Sequence, residues 1–383
     1  MTFKELNLSD ALLRALGEKG YSNPTEIQAK AIPVVLQHRD ILASAQTGTG
    51  KTAAFTLPLL QLMSEQDSSQ SRTRSTLRAL ILTPTRELAL QIAENISDYK
   101  KFMRLKHTVI FGGVPQYKQV SALRAGTDIL IATPGRLKDL IQQGIVHLSN
   151  IQYFVLDEAD RMLDSGFLED VKRIVRLLPA KKQTLLFSAT VPPEIKALAD
   201  KLLNNPVRVE VQPVSSAAPK ISQCVYHVDK HRKHDLLVDL LKSGEMDRVL
   251  VFTTMKHHAD KISKRLVSSG IASEAIHGNK SQAQRQNALD RFKSSKVRVL
   301  IATDVVARGI DIDDLSHVIN FELPDVAETY VHRIGRTGRR GRTGVAISFC
   351  SNEEQIQLRD IQKLIASKIP VANQLDQKSA VLN

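Results

Sequence analysis

Residues 40–52 read Asp-Ile-Leu-Ala-Ser-Ala-Gln-Thr-Gly-Thr-Gly-Lys-Thr, a short apolar run followed by a glycine-rich loop. The run Asp40–Ala43 predicts a buried strand, and the residues after Thr52 predict a helix. In a strand–loop–helix unit of this kind, glycines let backbone N–H groups turn toward phosphate oxygens, and the helix presents its N-terminus to the same charge. The stretch therefore predicts a phosphate-binding loop in a parallel α/β domain, although Ala45 stands where the strict pattern has its first glycine.

The side chains of this loop suggest ATP and Mg²⁺ as ligands. Lys51 is expected to reach the β- and γ-phosphates, and the Thr52 hydroxyl is expected to ligate Mg²⁺. A chance glycine-rich turn is the alternative, but the strand, the loop, the Lys-Thr pair and the helix all agree. The other predicted nucleotide contacts in the loop are Ala45, Gln46, Thr47, Gly48, Thr49 and Gly50.

An acidic segment, Asp157–Asp160, follows the apolar run Tyr153–Leu156. A carboxylate at the C-terminal tip of a strand in an open α/β sheet faces the ligand crevice. We therefore expect Asp157 to hold Mg²⁺ and Glu158 to orient and activate the attacking water. Taken alone, the tetrapeptide is also compatible with an ordinary acidic turn.

Short apolar runs alternate with helix-like stretches along the whole chain. Runs of this kind predict parallel sheets covered by helices on both faces, and two series of them predict two α/β domains. The runs are Asp40–Ala43, Ala79–Thr83, Thr108–Phe111, Asp128–Ala132, Tyr153–Leu156 and Thr184–Phe187, then Arg248–Thr253, Ala272–Ile276, Arg298–Ala302, His317–Phe321 and Val345–Phe349.

The break between the two series falls at Val211–Lys220, which has the Pro, Ser and Ala composition of a linker. We predict an N-terminal domain over residues 1–210, a linker over 211–220, a C-terminal domain over 221–370 and a short tail over 371–383. A second irregular stretch, Ser64–Thr76, is rich in Ser, Gln and charge and predicts a surface loop.

The bulk composition favours a polyanionic partner. The chain has 53 Lys and Arg against 40 Asp and Glu, a net charge of +13, which points to nucleic acid or an acidic membrane surface. A basic but inert surface is the alternative.

The sequence does not favour a membrane protein. No apolar run approaches the length of a membrane span, and the N-terminus lacks the apolar block of a signal peptide. No segment combines a basic face with a strongly apolar one. Cys224 and Cys350 form no close-spaced motif, so a reducing cytoplasm is expected.

Two further segments are open to more than one interpretation. In residues 20–28 the Gln28 amide could pair with an adenine edge and Phe3 and Tyr21 could stack on the base, but the segment alone favours a helix start capped by Thr25. The run His332–Arg339, His-Arg-Ile-Gly-Arg-Thr-Gly-Arg, fits either a plain RNA-binding patch or arginines that stabilise a phosphoryl group in transfer.

Taken together, these motifs resemble those of the DEAD-box RNA helicases of superfamily 2, in that family's order, and several segments resemble its bacterial RhlE-type members. The resemblance covers nearly the whole chain, from Phe3 to Arg339. The motifs are the Gln28 segment, Ala45–Thr52, Pro84–Ala89, Gly112–Gly113, Thr133–Arg136, Asp157–Asp160, Ser188–Thr190, Val249–Met255, Ala302–Asp311 and His332–Arg339.

The resemblance implies two tandem RecA-like domains, joined by a flexible linker, that bind ATP and RNA in the cleft between them. It implies that Gln28 selects adenine, that Asp311 touches the ribose and that Arg336 and Arg339 are arginine fingers. Ser188 and Thr190, with Asp160 and His332, would couple the nucleotide site to the RNA site. The implied RNA contacts are Pro84, Thr85, Arg86, Gly113, Thr133, Gly135 and Arg136, followed by Thr253, Gly278, Arg285, Thr303 and Arg308.

The function that follows is an ATP-dependent RNA helicase with RNA-stimulated ATPase activity, acting locally on RNA duplexes or RNA–protein complexes. Aromatic residues make up only 4% of the chain, so contacts to the sugar–phosphate backbone rather than base stacking should dominate. A DNA-directed enzyme of the same superfamily and an ATP-gated RNA clamp are the alternatives. We expect a mostly monomeric protein whose partners are RNA and proteins of ribosomal particles or of RNA decay, with no membrane partner.

Overall fold

The structure is a computed structural model that describes residues 1–45, 48–69, 76–211, 221–243, 246–304, 315–338 and 343–372. The chain divides into two compact units, Met1–Pro213 and Val214–Asn383. Each unit is built around its own parallel sheet, with helices on both faces. None of the helices in these ranges is both long enough and apolar enough to cross a membrane.

The first unit contains seven strands and nine α-helices among its described residues, with a short 3₁₀ helix at Phe3–Leu6 before them. The strands are β1 Ile41–Ser44, β2 Ala79–Leu82, β3 His107–Ile110, β4 Ile129–Ala132, β5 Tyr153–Asp157, β6 Gln183–Ser188 and β7 Val207–Glu210. The helices are α1 Asp10–Glu18, α2 Glu26–Leu36, α3 Lys51–Ser69, α4 Arg86–Tyr99, α5 Tyr117–Arg124, α6 Pro134–Gln142, α7 Ala159–Asp164, α8 Leu168–Val175 and α9 Pro193–Leu202.

The strands of this unit lie in the order β3-β4-β2-β5-β6-β1-β7, and every neighbouring pair is parallel. Successive side chains of a strand point to opposite faces, so each buried strand feeds two cores. In β2, Ala79 and Ile81 pack with helices α1 to α4, whereas Leu80 and Leu82 pack with α5 to α9. This double coverage explains why β2 and β4 are apolar at every position.

The second unit repeats the plan with six strands in the order β10-β11-β9-β12-β13-β8, again all parallel. Its strands are β8 Ile221–His227, β9 Val249–Thr253, β10 Ser273–Ile276, β11 Val299–Thr303, β12 His317–Asn320 and β13 Gly344–Cys350. Its helices, over the described residues, are α10 Lys233–Lys242, α11 Lys256–Ser268, α12 Gln282–Lys293, α13 Ala327–Ile334 and α14 Gln355–Leu364.

The predicted α/β fold with two parallel sheets is confirmed, and each predicted apolar run overlaps a strand. Two strands were missed, β7 and β8, and both lie at an edge of their sheet. An edge strand has a neighbour on one side only, and in Val207–Glu210 only Val209 is buried. A search for continuous apolar runs passes over such a pattern.

The structure describes part of each of the three predicted irregular segments, the surface loop, the linker and the tail. The surface loop predicted at Ser64–Thr76 is wrong in its first part, because α3 continues to Ser69. The linker lies outside the described residues except for Val211, whose N–H donates to the Ser44 carbonyl at 3.0 Å. Val371, where the tail was predicted to begin, forms a parallel bridge with Val225 of β8.

Asp40 connects neighbouring segments at the edge of the first sheet where its strands begin. One of its carboxylate oxygens accepts the N–H of Thr184 at 2.8 Å, and the other accepts the N–H of Asn204 at 2.7 Å. Asp40 is buried, so both N–H groups would lack a partner without it. The carboxylate thus joins β1 to the start of β6 and to the turn before β7.

We expect Asp40→Asn to lower the free energy of unfolding by about 2 kcal/mol, the scale of a hydrogen bond to a charged group. The isosteric amide can accept only one of the two N–H groups and turns its own NH₂ toward the other. Urea denaturation followed by circular dichroism measures the effect. Asp200→Asn, an exposed change on α9, is the control and should overlay the wild type; an equal shift in both variants contradicts the role given to Asp40.

Candidate functional site

The predicted site residues that follow the strands of the first unit gather at one edge of its sheet. Because all strands are parallel, their C-terminal ends meet there. The neighbouring strands β5, β6 and β1 deliver Asp157–Asp160, Ser188–Thr190 and the loop 45–52. The neighbouring strands β2, β4 and β3 deliver the predicted RNA contacts to the other half of the same edge.

The phosphate-binding loop has the backbone that its glycines allow. Gly48 and Gly50 have φ angles of 84° and 92°, a region that strains any residue with a Cβ. Lys51 opens α3, and its buried ammonium donates to the Ala45 carbonyl at 2.8 Å. This hydrogen bond holds the Lys51 ammonium beside the loop, where a phosphate would bind. Gln46 and Thr47 lie outside the described residues.

Gln28 ties the start of α2 to this loop. Its Oε1 accepts the N–H of Thr25 at 2.9 Å, and its Nε2 donates to the Gly50 carbonyl at 3.1 Å. A Cβ on Gly50 would lie 2.3 Å from that Nε2, so Gly50 is needed for the approach as well as for its φ angle. The helix-start interpretation of this segment therefore holds, and adenine selection by Gln28 stays a prediction.

The two rings predicted to stack on a base differ in exposure. Phe3 is only 4% exposed and packs within the core on the α1 to α4 face, whereas Tyr21 is 46% exposed. Of the two, Tyr21 presents much of its ring at the surface. Stacking of either ring on adenine stays a prediction.

Asp157 and Glu158 are buried together at the end of β5. Glu158 has a φ of 54°, an unusual conformation for a residue with a Cβ, and backbone strain of this kind is concentrated at functional sites. Its N–H donates to Asp157 Oδ1 at 3.0 Å, and its carboxylate pairs with the Arg161 guanidinium. Arg161 was not predicted, although its position three residues after Glu158 on α7 is the spacing of a helical ion pair.

The electrostatics of this pair suit a cation. Burial raises the pKa of Asp157, and the adjacent Glu158 carboxylate raises it further, while the Lys51 ammonium lowers it in part. Two neighbouring buried carboxyl groups beside a phosphate-binding loop are hard oxygen ligands of the kind Mg²⁺ prefers. The residues that would hold Mg²⁺ are Asp157, at the end of β5, and Thr52, the second residue of α3.

Asp160 joins the acidic segment to the end of β6. Its Oδ2 accepts the Ala189 N–H at 3.2 Å, the Thr190 N–H at 2.9 Å and the Thr190 hydroxyl at 3.0 Å. In return, its N–H donates to the Ser188 hydroxyl at 3.1 Å. Burial alone would raise the pKa of Asp160, but the Thr190 N–H, the Lys51 ammonium and the two hydroxyls outweigh it and hold the pKa below its usual range. Asp160, Ser188 and Thr190, predicted as a coupling set, are therefore in direct contact.

The predicted RNA contacts of the first unit follow β2, β4 and β3. The Arg86 guanidinium packs on Gly113, where an added Cβ would lie 2.2 Å from it, and Gly113 has a φ of 77°. Arg136 donates to the Val114 carbonyl at 2.9 Å and to Gln119 Oε1 at 3.2 Å. Arg136 thus braces the loop that carries Gly113. Pro84 and Thr85 precede α4, whose Leu88 N–H donates to the Thr85 hydroxyl at 3.3 Å, and Thr133 and Gly135 begin α6.

The second unit places its predicted residues in the same way, at the ends of β10, β11 and β9. Gly278 follows β10, Thr303 ends β11, Thr253 ends β9 and Arg285 lies on α12. Thr253 is 0% exposed, and its hydroxyl donates to Glu322 Oε2 at 2.8 Å. Thr253 is therefore buried and its neighbour Thr254 is exposed, and the contact of Thr253 with RNA stays a prediction. Arg308 and Asp311 lie outside the described residues.

The arginine-rich run begins on α13, which carries His332 in its last turn. Arg333 is 2% exposed, and its Nε and Nη2 hold the Asp304 carboxylate at 2.6 and 2.7 Å. Its Nη1 donates to the Glu322 carbonyl at 2.6 Å. Arg333 is thus a structural residue, although nothing in the sequence pattern separates it from Arg336. Arg336 follows the helix and is also buried. Arg339 lies outside the described residues.

Comparison with known proteins agrees with this arrangement. Residues 25–198 match the DEAD/DEAH box helicase family, and residues 232–341 match the helicase conserved C-terminal domain. The chain is similar to the DEAD-box ATP-dependent RNA helicase CshA of Geobacillus kaustophilus, with 41% identity over 96% of this chain and 77% of that protein. It is 43% identical to the RNA helicase CrhR of Synechocystis, over 97% of this chain and 74% of that protein.

The fold is similar to that of Saccharomyces cerevisiae Dbp5 bound to RNA and ADP BeF3, with a TM-score of 0.86, 33% identity and coverage of 99% of this chain and 98% of that one. The relatives named here are not RhlE proteins, so the RhlE-type resemblance stays a prediction. The matched ranges, the extent of the identity and the site described above lead to one conclusion: the chain belongs to the DEAD-box ATP-dependent RNA helicase family.

Proposed function

We propose that this protein hydrolyses ATP in response to RNA and uses the cycle to unwind or remodel RNA duplexes or RNA–protein complexes locally. The observation that carries the proposal is the shared edge of the first sheet. Asp157 and Glu158 lie at the end of β5 and Lys51 begins the helix after β1, and the basic and small residues suited to RNA follow β2, β4 and β3. One sheet edge thus serves both ligands.

In this proposal the residues of the loop and of β5 divide the work on ATP. Lys51 attracts the β- and γ-phosphates, and Glu158 orients the attacking water and accepts its proton. Asp157 and Thr52 would hold Mg²⁺, which would supply positive charge to neutralise the phosphates. Gln28, with Tyr21 and Phe3, holds the adenine, and Asp311 contacts the ribose.

The second unit contributes guanidinium groups in this proposal. Arg336 and Arg339 stabilise the charge on the phosphoryl group in transfer, so that hydrolysis requires the second unit to engage. His332 joins Asp160, Ser188 and Thr190 in coupling the two ligands. The direct bonds from Asp160 to Thr190 support this role, because they connect the acidic segment to the end of a neighbouring strand.

RNA is held mainly through its backbone in this proposal. Hydroxyls, glycine N–H groups and arginines at strand ends suit sugar and phosphate, and these contacts carry little sequence information. The net charge of +13 adds a long-range attraction that weakens with salt.

We further propose a cytoplasmic, mostly monomeric protein, with domains over residues 1–210 and 221–370. Its RNA partners would be those of ribosomal particles or of RNA decay.

The test of the function is steady-state ATP hydrolysis with single-stranded RNA, with DNA of the same sequence and with no nucleic acid. We expect hydrolysis to rise at least about tenfold with RNA alone, because the second unit's arginines engage only in the RNA-bound state. Equal rates in all three reactions contradict the proposal. Equal stimulation by RNA and DNA supports a DNA-directed or unselective enzyme instead.

Lys51→Ala should weaken ATP binding at least about tenfold, because a buried ammonium that faces the phosphates is removed. Titration with a fluorescent nucleotide measures the affinity, and circular dichroism checks the fold. Lys196→Ala, on the exposed face of α9, is the control and should bind as the wild type does. An unchanged affinity in Lys51→Ala rules out the phosphate-binding role.

Glu158→Gln should lower kcat by about a hundredfold or more with ATP affinity retained, since the amide fits the same space but is a poor base. Single-turnover hydrolysis with saturating RNA measures the step. Glu169→Gln is a matched control, because Glu169 forms an ion pair with Lys172 at the same i,i+3 spacing as Glu158 and Arg161. Turnover at the wild-type rate in Glu158→Gln excludes it as the base.

A further inference from the structure

Glu322 lies just after β12 at the functional edge of the second sheet, and its carboxylate collects donors from the end of β9. Its Oε2 accepts the Thr253 hydroxyl at 2.8 Å, the Thr254 N–H at 2.7 Å and the Thr254 hydroxyl at 2.6 Å. Its Oε1 lies 2.5 Å from His258 Nδ1. Glu322 belongs to none of the predicted motifs, and neither the ATP site nor the predicted RNA contacts include it.

The protonation state of Glu322 decides the direction of these hydrogen bonds. Burial alone would raise the pKa of its carboxyl, but the hydrogen bonds from Thr254 and Thr253 and the His258 ring outweigh it and lower the pKa to about 2. The group is therefore an ionised carboxylate at neutral pH, and an ionised carboxylate only accepts hydrogen bonds. Both threonine hydroxyls must donate their hydrogen to Glu322.

The two hydroxyls differ in what they can offer to a ligand. Thr253 is completely buried, so its hydroxyl serves only the strand end. Thr254 is exposed, and with its single hydrogen committed to Glu322, its oxygen presents only lone pairs to an incoming group. A phosphate oxygen is itself an acceptor and gains nothing there. A ribose 2′-hydroxyl can donate, and it is the group that DNA lacks.

The surroundings of Thr254 suit one nucleotide of a polyanion. Lys256, two residues along, is exposed, and its ammonium contacts Asn279 Oδ1 at 3.1 Å, next to Gly278 at the end of β10. An exposed cation for a phosphate and an exposed acceptor therefore occupy the same sheet edge. Glu322 is held at this edge through its backbone as well, because its carbonyl accepts a hydrogen bond from the buried Arg333.

We propose that Glu322 makes the Thr254 hydroxyl an obligate acceptor for a ribose 2′-hydroxyl, so that the pair contributes to the preference for RNA over DNA. The proposal rests on the proposed function, since it assumes that RNA lies along this edge. Thr254 is the binding residue and Glu322 is the positioning residue, which acts by fixing the direction of one hydroxyl.

The test is the affinity of the full chain for three single strands of one sequence: RNA, DNA and 2′-O-methyl RNA, which keeps the ribose but loses the 2′ donor. Fluorescence anisotropy in the presence of a non-hydrolysable ATP analogue gives each Kd. We expect Thr254→Val to weaken RNA binding by about threefold to tenfold, the scale of one hydrogen bond, and to leave binding of the other two strands unchanged. The ratio of RNA to 2′-O-methyl RNA affinity should fall by the same factor.

Two further variants test whether the hydrogen-bond direction of the Thr254 hydroxyl matters, and not only the presence of that hydroxyl. Thr254→Ser keeps the hydroxyl and should keep the wild-type ratio. Glu322→Ala frees the hydroxyl to donate to a phosphate, so the ratio should fall mainly because DNA and 2′-O-methyl RNA bind more tightly relative to RNA. Glu328→Ala, an exposed change in the first turn of α13, is the control and should match the wild type.

The outcomes distinguish this inference from the proposed function. If the wild type binds none of the strands, the proposed function fails. If the wild type binds RNA and Thr254→Val keeps the wild-type ratio, the inference alone is overturned. Should Glu322→Ala fail to fold, Thr254→Val and Thr254→Ser still decide the matter, because Thr254 is exposed.

Discussion

The structure depends on one constraint: all neighbouring strands in each sheet run parallel. Parallel strands bring their C-terminal ends to one edge, so residues far apart in the chain become neighbours there. In the first unit this places Lys51, Asp157 and Ser188 at the ends of adjacent strands, although more than a hundred residues separate the first two. Parallel pairing also buries both faces of the sheet, which leaves its edge as the place for polar chemistry.

Several charged groups at the C-terminal edges of the two sheets are buried, and burial makes their partners decisive. A buried charge without a partner is costly, so each one fixes the position of the group that neutralises it. Arg333 is held by Asp304 through two short hydrogen bonds, and Lys233 is held by Glu354 and by the Phe321 carbonyl at 2.8 Å. Both pairs lie where loops leave the second sheet. Fixed loops at this edge hold ligand-binding groups in place before the ligand arrives, which lowers the entropy that binding must offset.

Much of this arrangement could be predicted from sequence, because its signals are local. Apolar runs gave the central strands, and the loop 45–52 and the segment Asp157–Asp160 carry recognisable residue types at fixed spacing. The edge strands β7 and β8 lack such a signal, since half-exposed positions interrupt their apolar pattern. The helical part of Ser64–Thr76 was missed for a related reason, because a polar composition does not exclude a helix that begins upstream.

The remaining site residues could not be predicted, because their roles arise from contacts between distant parts of the chain. Glu322 receives hydrogen bonds from residues 68 and 69 positions earlier in the sequence, and only the pairing of β12 with β9 brings them together. Likewise, nothing in a run of several arginines marks Arg333 as the one that binds Asp304. The exposure of Thr254 beside the buried Thr253 also depends on how the chain leaves β9.

The two units share one arrangement of side chains at the C-terminal ends of their strands. In each, a carboxylate that follows one strand gathers a threonine that follows the adjacent parallel strand: Asp160 after β5 binds Thr190 after β6, and Glu322 after β12 binds Thr254 after β9. Each carboxylate takes the threonine N–H and its hydroxyl on a single oxygen. Neighbouring strands lie about 5 Å apart, so a short acidic side chain is long enough to span them. An ionised carboxylate in this position does more than fasten the strand end, because it also decides which hydrogen-bonding role the threonine hydroxyl can offer to a ligand.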